Sequence, residues 1–200
     1  MGLTIEKCIE GWINSLRQMN AKADIVFFGD SLTYYGDFAS IFPDRVVCNL
    51  GLRGDTIQGM INRIEQVRIL YPDKVYIMAG INDVANSSLE EFSMQYKKLI
   101  ELLKKNLPES LIIVQGLLPV NDVDFKVSCN NMQVSRSNEV IELLCSEYGL
   151  QFKNLYNQYV NNGILPKVMT VDGIHLSPFA YNMWYDLLKT EICNDIGIVL

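Results

Sequence analysis

His175 is the only histidine in the chain, and it follows Asp172 by three residues in Asp172-Gly173-Ile174-His175. Any histidine-dependent chemistry must therefore use this ring. A serine hydroxyl is a weak nucleophile until a neighbouring base takes its proton, and the base needs a third group to fix its tautomer and stabilise its cation. On a continuous strand Asp172 and His175 would face opposite ways. Gly173 permits the backbone angles of a turn that folds Asp172 back onto the ring. The serine that suits this pair is Ser31, in Gly29-Asp30-Ser31-Leu32, where an apolar run stops abruptly. Acyl transfer also needs donors fixed where negative charge develops. Three candidates follow successive apolar runs: the backbone N–H of Ser31, the N–H of Gly51 and the side-chain amide of Asn82. Each has a plainer reading, as turn serine, turn glycine, loop asparagine or polar surface histidine. Their joint placement favours chemistry.

That placement depends on the elements between them. The runs at 25–28, 45–50, 74–79 and 111–115 are short, β-branched or aromatic, and closed by glycine or turn residues, the pattern of parallel strands buried on both faces. A weaker fifth strand is expected near 150–155. Apolar residues at three- and four-residue steps predict helices between them: Ile5, Cys8, Ile9, Trp12, Ile13 and Leu16 on a first helix covering the sheet, then Ile57, Met60, Ile61, Ile64 and Val67 on a second that ends near Pro72. Ser88 and Glu91 form a capping box for a third helix, a fourth covers about 134–148, and Ser177 with Pro178 opens a last one bearing Tyr181, Trp184, Tyr185, Leu188 and Ile192. Residues 121–131 read as a loop at the ligand-binding edge, placed to shape substrate choice, and 157–169 as irregular. Alternating strand and helix give an α/β fold with a parallel sheet, whose carboxyl edge carries Ser31, Gly51 and Asn82.

Composition narrows the function. The 200 residues suit one domain (1–200), and 49% hydrophobic with 20% charged residues excludes disorder. A net charge of -6 argues against nucleic acid or anionic membrane as partner. Five scattered cysteines without a C-x-x-C pair suit reduced, mostly buried thiols in a cytoplasmic protein, and no run suggests a leader or membrane insertion. One histidine and no paired cysteines leave no metal site or cofactor to expect. G-x-S-x-G is absent because Thr33 stands where its last glycine belongs, and neither a P-loop nor G-x-G-x-x-G occurs. A non-catalytic anion- or ligand-binding module, with Ser31 at a helix start, is the competing class.

Gly29-Asp30-Ser31-Leu32, Asn49-Leu50-Gly51 with Gly54-Asp55-Thr56, Gly80-Ile81-Asn82-Asp83 and Asp172-Gly173-Ile174-His175 resemble, in order, the four signature blocks of the SGNH hydrolases, the GDSL esterase/lipase family. Ile81 stands where the third block usually has threonine. The resemblance implies a three-layer α/β/α sandwich with a five-stranded parallel sheet in flavodoxin-like order 2-1-3-4-5. It implies Ser31 as nucleophile, Asp172 and His175 as the rest of a triad, and Ser31, Gly51 and Asn82 as oxyanion donors. Asp30, Asp55 and Asp83 are expected to fix loops, with Asp30 the alternative triad acid, and Tyr34, Tyr35 and Arg53 to line the pocket. The expected substrate is a small-molecule ester, short-chain and acetyl foremost, on a sugar or other alcohol. Thioesters and lysophospholipids are the alternatives within this fold.

Overall fold

In a computed structural model describing residues 5–18 and 21–195, every residue of β1 (Ile25–Gly29) is buried. It pairs in parallel with β2 (Val47–Gly51) on one side and β3 (Lys74–Met78) on the other. β4 (Leu111–Gln115) and β5 (Gln151–Lys153) complete the sheet in the order 2-1-3-4-5. Alternate side chains of β1 go to opposite layers. Val26 and Phe28 join a core with Met60, Phe92, Leu99 and Ile141. Ile25 and Phe27 join another with Phe38, Tyr181, Trp184 and Leu188. The first layer is built from α3 (Ile57–Asn62), α4 (Glu65–Arg68), α6 (Leu89–Asn106) and α7 (Asn131–Tyr148); the second is closed by α9 (Pro178–Asp195). Phe27 and Phe28 alone, each fully buried, contribute roughly 1.5–3 kcal/mol apiece.

Local chemistry sets the boundaries. Ser88 and Glu91 make the expected capping box on α6. A second box, Asn130 with Gln133, starts α7 at Asn131, three residues before the periodic apolar positions begin. Ser177 Oγ accepts from the Ala180 N–H at 3.4 Å at the start of α9. The continuous helix expected over 57–67 is broken: Arg63, with φ −116° and ψ 16°, ends α3, and α4 is a separate turn. α1 (Ile5–Gln18) forms, but Trp12 is exposed and only Ile13 of its described side chains packs on the core. The side chains of Ile5, Cys8, Ile9, Leu16, Ile192 and Cys193 lie outside the described residues. Within 157–169 there is a short helix, α8 (Tyr156–Tyr159), and one 3₁₀ turn. Cys48, Cys129 and Cys145 are unpaired, and burial pushes the Cys145 thiol up to about 12. No helix among the described residues is long and apolar enough to cross a membrane.

Candidate active site

Ser31 begins α2 (Ser31–Tyr34) directly after β1, with Asp30 as its N-cap. The Asp30 carboxylate accepts from the Leu32 N–H at 2.9 Å, and Tyr181 on α9 donates its hydroxyl to the Leu32 carbonyl at 2.7 Å. The turn that carries Ser31 is thus held from both sides. Across the sheet's edge, Ser31 Oγ lies 2.9 Å from His175 Nε2. His175 Nδ1 lies 2.6 Å from Asp172 Oδ2. Because that carboxylate accepts a hydrogen bond from Nδ1–H and so keeps the proton on that nitrogen, Nε2 is left to accept the serine proton.

The Asp172–His175 turn is fixed before any substrate arrives. Gly173 has φ +95°, and Asp172 Oδ1 accepts from the N–H groups of Ile174 and His175 at 3.1 and 2.8 Å. Partial burial would raise the Asp172 pKa, but the hydrogen bonds from the His175 side chain and from these two amides outweigh it, so the carboxyl stays below its ordinary value. The 121–131 loop braces this turn. The Asn121 N–H donates to the Gly173 carbonyl at 2.8 Å, and a β-carbon on Gly173 would strike Val127 and Phe125.

Asn82 lies in α5 (Ile81–Val84), which follows β3 through Gly80, a residue in the left-handed region at φ +116°. One of its amide hydrogens goes to the Asp55 carbonyl at 2.8 Å, which leaves the other free to point into the pocket. Ser31, Tyr35, Arg53, Gly54, Asn82 and His175 line a cavity of about 460 Å³. Gly51 is not in that lining. Its N–H donates to Asn49 Oδ1 at 2.8 Å, and a β-carbon there would fall into the backbone of Tyr34. Its glycine therefore serves close packing of β2 against α2, and the expectation of Gly51 as a donor is corrected. The glycine that reaches the cavity is Gly54, at φ +71° in the turn that the Asp55 N–H closes onto the Leu52 carbonyl at 3.2 Å. Tyr35 and Arg53 line the pocket as expected, whereas Tyr34 packs edge-on against Tyr35 outside it.

Behind this edge sits a buried charged cluster. Asp55 Oδ2 accepts from Arg63 Nε at 2.6 Å, Asp83 Oδ2 from the Ile57 N–H at 3.1 Å, and Asp30 is wholly enclosed with Oδ2 unpartnered. Burial, reinforced by Asp55 and Asp83, pushes the Asp30 carboxyl up to about 7 against the pull of the Leu32 N–H and His175. Burial likewise lifts Asp83 to about 6. The three aspartates fix loops as expected, and the carboxylate that meets the His175 ring is that of Asp172, while Asp30 caps α2. Arg63 was not anticipated. It is 3% exposed, donates to the Gly29 carbonyl at 2.8 Å and the Leu50 carbonyl at 2.7 Å, and stacks on Phe28 with its guanidinium carbon 4.4 Å from the ring centroid. One side chain thereby ties the ends of β1 and β2 to the turn that carries Gly54.

Residues 27–183 match the model of the GDSL-like lipase/acylhydrolase family. The chain belongs to that family. It is 25% identical over 185 residues to platelet-activating factor acetylhydrolase IB subunit alpha1 of Rattus norvegicus, a match covering 88% of this chain and 75% of the relative. Among solved structures it is similar to a GDSL-like lipase of Bacteroides thetaiotaomicron, with a TM-score of 0.76, 21% identity, and 96% and 98% of the two chains covered. It is also similar to an acetyl xylan esterase, with a TM-score of 0.71, 19% identity, and 84% and 98% covered. Family membership makes an acylhydrolase of the esterase type the coarse reading of the site, with a small molecule as substrate.

Proposed function

We propose that this chain is a serine esterase that cleaves short-chain carboxylic esters, acetyl foremost, of a sugar or other small alcohol through an acyl-enzyme. The observation that carries the reading is the unbroken path from Asp172 through His175 to Ser31, at 2.6 and 2.9 Å, ending in a cavity. His175 Nε2 takes the hydroxyl proton as Ser31 Oγ attacks the ester carbonyl, while Asp172 holds the imidazolium. The oxyanion is received by the N–H groups of Ser31 and Gly54 and the free amide hydrogen of Asn82. The alcohol leaves with the proton from His175, and water activated by the same ring then releases the acid.

The pocket lining favours a short acyl group. Ser31, Tyr35, Arg53, Gly54, Asn82 and His175 include no aliphatic side chain, so beyond the Tyr35 ring a long hydrocarbon would find little apolar wall to leave water for. Two of the similar proteins also carry acetyl in their names. Purified protein is expected to hydrolyse p-nitrophenyl acetate, with rates falling along a series of esters toward twelve carbons. Ser31→Ala is expected to abolish turnover. Retained activity in that variant overturns the nucleophile, and a preference for the long esters overturns the acetyl reading.

A further inference from the structure

We infer that Arg53 makes the pocket selective for esters that also carry an anionic oxygen group, a carboxylate or a phosphate; the inference rests on the esterase reading above. Arg53 is the only cationic side chain in the cavity lining, and it forms no ion pair with any carboxylate among the described residues. Its guanidinium carbon stands 5.8 Å from the centroid of the Tyr35 ring, which in turn meets the His175 ring edge-on at 5.7 Å. A guanidinium held against an aromatic face keeps its donor fork open for a planar or tetrahedral oxyanion. In a chain of net charge -6, a lone unpaired cation beside the nucleophile creates a local exception to a field that repels anions.

The position of this cation is set by the same structure that sets the oxyanion donors. Arg53 sits in the turn over residues 52–55, closed by the Asp55 N–H on the Leu52 carbonyl, and Gly54 at φ +71° follows it immediately. Asp55 at the end of that turn is locked by Arg63. The Arg53 backbone therefore keeps a fixed offset from the reacting carbon, and a second group on the substrate can be read at that offset.

The test compares kcat/KM for 4-acetoxybenzoate and for 4-acetoxyphenyl phosphate with that for the neutral 4-acetoxybenzamide, in the wild type and in Arg53→Gln. The anionic-to-neutral ratio is expected to fall about tenfold in Arg53→Gln, chiefly through KM, the scale of one hydrogen bond to a charged group. Arg53→Lys is expected to restore part of it. A ratio that responds for only one of the two anions identifies which of them the site reads. If Arg53 merely packs on Tyr35, all esters lose activity alike and the ratio stays constant, which overturns the inference. Absence of Ser31-dependent hydrolysis of every ester overturns the esterase reading instead. Calorimetric titration with 4-hydroxybenzoate then decides the subsite: binding lost in Arg53→Gln upholds it, and binding absent or unchanged in that variant refutes it.

Discussion

Arg63 Nε lies 2.6 Å from Asp55 Oδ2, and the two side chains are 3% and 5% exposed. Burial shifts both groups toward neutrality, Asp55 up and Arg63 down, and outweighs their mutual attraction. The pair thus adds little net stability while intact, but either member left alone is an uncompensated buried charge. Arg63→Met is expected to destabilise the protein by about 3–5 kcal/mol in urea unfolding. Arg63→Lys keeps a charge but lacks the fork that reaches both strand-end carbonyls, and falls between. A loss below about 1 kcal/mol in Arg63→Met would show that the clamp is dispensable.

The two glycines of the second block separate by mechanism. A β-carbon at Gly54 meets nothing within 4 Å, so Gly54→Ala carries only the strain of its positive φ, roughly 1–2 kcal/mol. It is expected to fold and to lose kcat, as the turn relaxes and its N–H moves. Gly51→Ala drives a methyl into the Tyr34 backbone and is expected to lose stability first. Urea midpoints and kcat measured on both variants decide the matter; a fully active Gly54→Ala would remove its N–H from the proposed hole.

For Asn82 the bond to the Asp55 carbonyl fixes the amide's orientation. Asn82→Ala is expected to lower kcat by about 10²–10³ with KM little changed, the effect of losing one oxyanion donor. An equal rise in KM at constant kcat would mean that the amide binds ground state and transition state alike.

Asp30 gives the pH dependence a sign. Its folded pKa of about 7 lies above its ordinary value, so the folded state binds the extra proton. Stability from this group is fully present below about pH 4 and is lost as pH rises through about 7. Asp30→Asn keeps an acceptor for the Leu32 N–H and removes the titration. Its urea midpoint is expected to change less than that of the wild type between pH 5 and pH 8, by a difference on the order of a few kcal/mol in stability. Identical pH profiles for the two proteins would sink this assignment.

Much of this architecture is written locally. The first four strands were legible because each is a short apolar run ended by a turn, and α6 and α9 because their caps are spelled in Ser88, Glu91, Ser177 and Pro178. Ser31, Asn82, Asp172 and His175 come together because two parallel strands, β1 and β3, and one turn deliver them to a single edge. What the pattern hid depends on direction. Ile57, Met60, Ile61, Ile64 and Val67 continue the helical period through Arg63, and only the carbonyls of Gly29 and Leu50 below explain why the chain bends there. Gly51 and Gly54 are the same residue type three positions apart, and which of them lines the cavity is set by the 52–55 turn. The start of α7 was signalled by Asn130 and Gln133, a box that lies outside the apolar periodicity.

His175 and Asp172 share one four-residue turn, but Ser31, which the ring meets, lies 144 positions upstream. The Tyr181 hydroxyl that steadies the Leu32 carbonyl spans a similar distance. During synthesis the sheet and its first helical layer can therefore assemble while Ser31 still waits for residues 172–181. Contacts of such long sequence separation carry the largest loop-closure cost and are the slow ones to form. The Ser31–His175 and Leu32–Tyr181 contacts are thus expected to close last, and a chain that has folded everything else still has its site apart.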